Sequence, residues 1–153
     1  MLASNVNIRG YVSTRRGSLR LPTQETSVGY LQAHTAPGQE VFVYPWCPLC
    51  YYLTATSNPT PYEFLVPGFH TTEQFREALN ALTLHRPRVV LFQPSFYEQM
   101  PLGLPATPIG VMAAPNALTD YIVGEYRPCT TLMSADYQRF LFMTRKDLPC
   151  PDH

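Results

Sequence analysis

The sequence contains no long apolar run, no block of like charge and none of the common nucleotide-binding or hydrolase motifs. No stretch approaches the roughly 20 apolar residues that a membrane-spanning helix needs. No basic run is longer than the Arg15-Arg16 pair, and 11 basic residues balance 11 acidic ones, so nothing indicates nucleic acid as a partner. The N-terminus lacks a charged segment followed by an apolar one, so we expect a soluble chain without its own signal peptide.

Groupings of catalytic or metal-binding residues are also missing. The four histidines are scattered along the chain, and no nucleophile, base and orienting group stand together in a motif. A zinc site would have to combine Cys47 and Cys50 with Cys129 or His153, whereas zinc ribbons use two close cysteine pairs. The sequence therefore predicts no bound metal or cofactor and no catalysis by the isolated chain.

What the chain does have is the composition of one globular domain. Its 153 residues are 45% hydrophobic and 12% aromatic, which is too rich in apolar side chains for disorder. The 16 prolines indicate short elements joined by stiff loops. We predict a single domain over 1–153, with an N-terminal strand or hairpin at 1–21, an α/β core at 22–127 and a terminal hairpin and tail at 128–153.

Hydrophobic patterning predicts the elements of that core. Residues 41–44 and 89–92 are continuous apolar runs, which are typical of strands covered on both faces. Thr71 and Gln74 form a capping box before a helix that ends near Pro87, and Asn116 is predicted to cap a later helix. The order of elements predicts an α/β fold, a three-layer sandwich with a small, mostly parallel sheet and a C-terminal β-hairpin.

The segment VFVYPWCPLC places a Trp and a C-x-x-C motif after a strand, as in thioredoxin-like proteins. In a redox enzyme Cys47 would be the nucleophile and Cys50 the resolving thiol, and a long helix would lower the pKa of Cys47. Here Pro59 ends any such helix within about two turns. A segment around Thr107-Pro108 could imitate the proline that faces the dithiol. Thiol–disulfide exchange is therefore kept as an alternative function.

A structural role for the cysteines is the preferred interpretation. Cys129 and Cys150 flank the predicted terminal hairpin, so a disulfide between them would attach the C-terminal tail to the start of a strand. Closing a loop of that size stabilises a domain by about 3 kcal/mol. Cys47 and Cys50 are expected to be packed thiols or a second disulfide.

Aromatic residues gather at the carboxyl end of the first predicted core strand. In open α/β sheets ligands bind at that edge, and aromatic faces suit sugars or apolar partners. The candidate ligand-binding residues are Trp46, Tyr51, Tyr52 and Asn58. The alternative is that these rings only cover the sheet, in which case the chain is a soluble α/β interaction module.

Several segments together resemble one family, the C-terminal extracytoplasmic region of bacterial multi-spanning (GT-C type) glycosyltransferases related to protein mannosyltransferases. The shared features are a strand ending in Tyr-Pro, a Tyr-x-Leu-Thr, an Asn-Pro-Thr with an aromatic residue, a Pro-Gly, an Arg-Pro before a strand and a terminal Tyr-Arg-x-Cys hairpin. They stand in the segments VFVYPWCPLCYYLTATSNPTPYEFLVPGF, TEQFREALNALTLHRPRVVLF, ALTDYIVGEYRP and FLFMTRKDLPCP. The resemblance spans residues 20–151.

The resemblance implies where the domain lies and what it contacts, but it assigns no catalytic residue to this chain. In that family the donor is a polyprenyl-phosphate sugar, and the catalytic carboxylate lies in the membrane portion, which has no counterpart here. Cys47 and Cys50 stand where many relatives have Asp or small residues. The implied role is a non-catalytic accessory domain on the extracytoplasmic face of the bacterial membrane, contacting acceptor or glycan. Its partner would be the transmembrane portion of a parent transferase or a separate membrane protein, and the missing signal peptide favours a fragment.

Overall fold

The structure, a computed structural model, describes residues 8–94 and 113–152. The elements follow in the order β1 (Ile8–Thr14), β2 (Gly17–Pro22), α1 (Ser27–His34), β3 (Val41–Tyr44), α2 (Pro48–Thr54), α3 (Thr72–His85), β4 (Val89–Phe92), α4 (Ala113–Glu125), β5 (Tyr126–Met133) and β6 (Arg139–Arg145). Residues 1–7, part of the predicted N-terminal hairpin region, lie outside the described ranges, as do the Thr107-Pro108 segment and His153.

The described residues form two sheets, a β1-β2 hairpin and a mixed sheet of four strands. The larger sheet has the order β3-β4-β6-β5, with β3 and β4 parallel and the other neighbours antiparallel. The predicted α/β class and the C-terminal β-hairpin are confirmed. The sheet is mixed rather than mostly parallel, because the hairpin strand β6 pairs directly with β4 and contributes two antiparallel ladders.

Helices cover both faces of the sheet, as expected for a three-layer sandwich. On one face, α3 and α4 contribute Phe75, Leu82, Leu118 and Ile122 to a core against Phe42, Tyr44, Val90 and Phe92. On the other face, Leu31 of α1 and Tyr51 of α2 pack on Val41, Val43, Leu91 and Phe142. Alternate residues of β3 thus enter different cores, which explains why the strand is apolar throughout.

The observed bounds refine the predicted helices. The capping box at α3 is present, with the Thr71 side chain accepting from the Gln74 backbone N–H and the Gln74 side chain accepting from the Thr71 N–H. The prediction that Asn116 caps a helix is wrong, because α4 already begins at Ala113. Pro115 falls in the first turn, where a proline removes no helical hydrogen bond.

The tip of the N-terminal hairpin has a role that the sequence did not suggest. The guanidinium of Arg15 donates to the carbonyl oxygens of Gln32 and Thr54 at 2.9 and 2.8 Å and also to that of Thr35. These carbonyls lie at the C-terminal ends of α1 and α2, where helix dipoles favour a cation. Arg15 therefore fastens the hairpin to the helical layer on the β3 edge.

Candidate functional site

The segment after β3 is held at the edge of the sheet by the chain that follows α2. The peptide bond between Tyr44 and Pro45 is cis, and the Pro45 carbonyl accepts a 3.0 Å hydrogen bond from the backbone N–H of Leu65. Trp46 forms an isolated bridge with Phe64, and their ring centroids are 4.4 Å apart. The indole is thus positioned by backbone pairing and by a neighbouring ring before α2 begins.

Trp46 opens onto a small cleft between this segment and the turn of the C-terminal hairpin. The cleft has a volume of about 220 Å³ and is lined by Trp46, Cys47, Pro48, Leu49, Ala135 and Asp136. We call it the Trp46 cleft. The Trp46 side chain is 41% exposed, although large aromatic residues are normally highly buried. Among the described residues, the wall of the cleft is mostly apolar and has one carboxylate, that of Asp136.

The hairpin turn fixes Asp136 on the far wall. The buried Ser134 hydroxyl donates to an Asp136 carboxylate oxygen and accepts from the backbone N–H of Gln138 at 3.1 Å. The side chain of Gln138 in turn accepts a 2.6 Å hydrogen bond from Gln93, which follows β4 and donates its own N–H to the Tyr44 carbonyl. These contacts tie the turn to the carboxyl ends of both parallel strands.

The exposed apolar surface continues along α2. Leu49 and Tyr52 are 45% and 60% exposed and lie three residues apart in α2, so they share one face of the helix. The guanidinium of Arg16 lies over the Tyr52 ring at 5.6 Å. The structure therefore leaves both Trp46 and Tyr52, two of the predicted ligand-binding residues, exposed, and of these two only Trp46 lines the Trp46 cleft.

Tyr51 and Asn58, the other two predicted ligand-binding residues, have structural contacts instead. Tyr51 is only 9% exposed, and its hydroxyl accepts a 2.7 Å hydrogen bond from the Val43 N–H on the outer edge of β3. Burial raises the pKa of Tyr51 well above its usual value. The Asn58 side chain accepts from the backbone N–H of Thr60 at 2.9 Å and donates to the Tyr62 carbonyl. We therefore omit both from the candidate surface, since their polar atoms are used in folding.

Cys47 and Cys50 lie at disulfide distance across the start of α2, with their Cα atoms 5.6 Å apart. They are 6% and 3% exposed and belong to the core that α1 and α2 form on the sheet. The following helix has 7 residues, as the position of Pro59 led us to expect. Only Cys47 borders the Trp46 cleft, so any exchange with an external thiol would have to occur there.

His70 belongs to the same aromatic region, which the sequence did not indicate. Its ring lies 5.0 Å from the Phe64 ring, and its Nδ1 accepts a 3.0 Å hydrogen bond from the Val66 N–H. The same Nδ1 lies 3.4 Å from the Val66 carbonyl oxygen, so the imidazole is held against the backbone of Val66. The only signal in the sequence was the run of aromatic residues on either side of the Asn-Pro-Thr turn.

No comparison with known proteins assigns this chain to a family, and the described structure has neither a membrane-spanning helix nor a metal site. Within residues 8–94 and 113–152, no helix is long and apolar enough to cross a membrane. The same part of the chain contains no group of three His, Cys, Asp or Glu side chains placed to hold a metal ion. No protein-family model, curated protein or solved structure matches this chain.

Proposed function

We propose that this chain is a non-catalytic extracytoplasmic domain of a polyprenyl-phosphate-dependent membrane glycosyltransferase, and that it contacts glycan or acceptor at the Trp46 cleft. The observation that carries the contact proposal is the exposed indole beside the Asp136 carboxylate, at the carboxyl edge of the parallel strands. Catalysis would reside in the membrane portion of the parent protein.

The chemistry of the cleft suits a sugar. The flat face of an indole packs against the C–H face of a sugar ring, while a carboxylate accepts hydrogen bonds from sugar hydroxyls. The Asp136 carboxylate is held by the Ser134 hydroxyl, so it is ordered before a ligand arrives. A pre-formed polar group lowers the entropic cost of binding.

The segments that resemble the transferase family contact one another in the fold. The Tyr126 hydroxyl, from the Tyr-Arg-x-Cys segment, donates to the Pro87 carbonyl of the Arg-Pro segment at 2.7 Å. Arg127 donates to the carbonyls of Lys146 and Leu148, at 2.6 Å for Lys146. Asn58 and Thr60 of the Asn-Pro-Thr segment build a turn. These contacts join the segments that carry the resemblance into one folded unit.

Glycan contact can be tested by titrating the isotope-labelled chain with neutral monosaccharides and short glycans at millimolar concentration. We expect chemical-shift changes centred on Trp46, Leu49 and Asp136, and their loss in Trp46→Ala. Tyr11→Ala is the matched control, because Tyr11 is also an exposed aromatic residue (71%) but lies on the separate β1-β2 hairpin. Absence of shifts with every sugar, or equal loss in both variants, would refute glycan contact.

The membrane setting needs a separate experiment on the native gene product. We would tag its C-terminus and fractionate the cells that produce it. A product much larger than this chain, recovered with the membranes, is expected. A product of about this size in the soluble fraction would overturn the transferase assignment and leave an α/β interaction module as the remaining interpretation.

Thiol–disulfide exchange is the alternative, and one observation favours it: Cys47 borders the same cleft that we assign to ligand. The low exposure of both cysteines counts against it, because an attacking thiolate must reach the sulfur. Insulin reduction in the presence of dithiothreitol discriminates the two functions. A rate above that of dithiothreitol alone, abolished by Cys47→Ser, would establish exchange; no acceleration would exclude it.

A further inference from the structure

A second, larger cavity lies at the opposite end of the sheet, beside the starts of β3 and β4. It has a volume of about 460 Å³, within the range of small-molecule sites. Val89 and Phe142 of the sheet border it, the polar side chains of His34, Gln39 and Arg88 line it, and the tail segment 148–152 closes one side. We call it the tail cavity.

The tail is fastened in place, so the cavity has a defined wall. Cys150 lies at disulfide distance from Cys129, with their Cα atoms 5.6 Å apart. Arg127 of β5 donates to the Leu148 carbonyl, and the Leu148 N–H donates to the Arg145 carbonyl at 2.9 Å. The cavity therefore depends on three attachments of the last residues of the chain to the hairpin.

The polar lining is rich in donors. The Arg88 side chain is exposed and forms no hydrogen bond or ion pair with any residue of the described ranges. The Gln39 oxygen accepts the Ala36 N–H at 3.0 Å, which orients the amide and makes its NH₂ group the available donor. Because guanidinium and amide donors pair best with anions, the lining favours a negatively charged ligand.

Two further features narrow the ligand class. The planar guanidinium matches the two oxygens of a carboxylate, whereas the Asp152 carboxylate on the tail side repels a dianion such as phosphate more strongly than a monoanion. Asp152 also offers acceptors for hydroxyl groups. The half-buried ring of His34, 6.4 Å from the fully buried Phe142 ring, gives the cavity one aromatic face against which a small ring can pack.

We infer that the tail cavity binds a sugar acid, with its carboxylate on Arg88, its hydroxyls near Gln39 and Asp152 and its ring against the His34 imidazole. This inference does not rest on the proposed function, because no residue of the Trp46 cleft takes part.

The test uses glucuronate as the probe, with glucose and inorganic phosphate as comparison ligands, and amide chemical shifts of the whole chain as the readout. We expect glucuronate to shift the resonances of residues 34–39, 88–89 and 148–152. Arg88→Gln should weaken the binding by about tenfold or more, since a lost charged hydrogen bond costs at least about 1.4 kcal/mol.

The matched control is Arg86→Gln, which removes an exposed arginine two residues away that does not line the cavity and should leave the affinity within about twofold. Cys129→Ser/Cys150→Ser should abolish the shifts by releasing the tail. Equal affinity for glucose and glucuronate, tighter binding of phosphate, an unchanged Arg88→Gln affinity or the absence of any shift would each overturn the inference.

Discussion

The two cysteine pairs lie at opposite ends of the sheet and differ in almost every respect. Cys47 and Cys50 are separated by 3 positions in sequence and are nearly inaccessible within a core. Cys129 and Cys150 are separated by 21 positions, and Cys150 is exposed on the tail. The pair with a familiar sequence motif is thus the buried one, while the pair without a motif controls the wall of a cavity.

This contrast teaches that spacing alone does not identify a reactive thiol. Reactivity requires exposure and a stabilised thiolate, and both depend on what packs around the sulfur. Around Cys47 and Cys50 that packing comes from Leu31 and Tyr51, which belong to the helical layer. Around Cys150 the tail is open to solvent, so reagents reach it readily.

The largest effect should come from removing the long-range pair. Cys129→Ser/Cys150→Ser is expected to lower the free energy of unfolding by about 3 kcal/mol, because it releases a long loop in the unfolded chain. Urea denaturation of the non-reduced protein measures the difference. The comparison variant is Cys47→Ala/Cys50→Ala. Its shorter loop should contribute only about 1.5 kcal/mol to the free energy of unfolding. A larger loss from the short pair would reverse the ranking.

Tyr51→Phe should have an intermediate effect of about 1–3 kcal/mol, since it leaves the buried Val43 N–H without its acceptor. Tyr52→Phe is the adjacent control on the exposed face and should change stability by less than about 0.5 kcal/mol. Denaturant titrations of the two variants beside the parent chain make the comparison. Similar losses in both would mean that the Tyr51 hydroxyl does not cap the edge of β3.

The same tyrosine predicts a dependence of stability on alkaline pH. Burial raises the pKa of folded Tyr51 above its unfolded value of about 10. Its contribution is fully present below that pH and is lost as the pH rises toward the folded pKa. Tyr51→Phe should therefore flatten the decline in unfolding free energy above about pH 10. Some decline should remain, because burial also raises the pKa of Tyr126.

The smallest perturbation is selective reduction of the folded protein. Under mild reductant, Cys129 and Cys150 should be alkylated well before Cys47 and Cys50, because only the tail pair is open to reagent. Mass spectrometry of peptides after timed quenching resolves the order. Alkylation of Cys47 first would show that the Trp46 cleft admits reagents to the sulfur and would favour the exchange function.

Much of the fold could be predicted because its signals are local. Continuous apolar runs located β3 and β4, and a capping box located the start of α3, since these patterns depend on residues close in sequence. The bounds of α4 were less predictable, because Asn116 and Pro115 are compatible with several starting positions of one helix. The pairing of β6 with β4 was not predictable either, as it depends on a long-range choice of neighbour.

The sequence by itself determined the α/β class, the alternation of helices with buried strands and the aromatic cluster after β3. Only the tertiary structure decided which rings of that cluster are exposed, because Tyr51 and Tyr52 are neighbours in sequence but the first is buried and the second is open to solvent. It also decided that Arg88, Gln39 and the tail share a cavity. Burial and contact between distant residues are properties of packing, which no local pattern specifies.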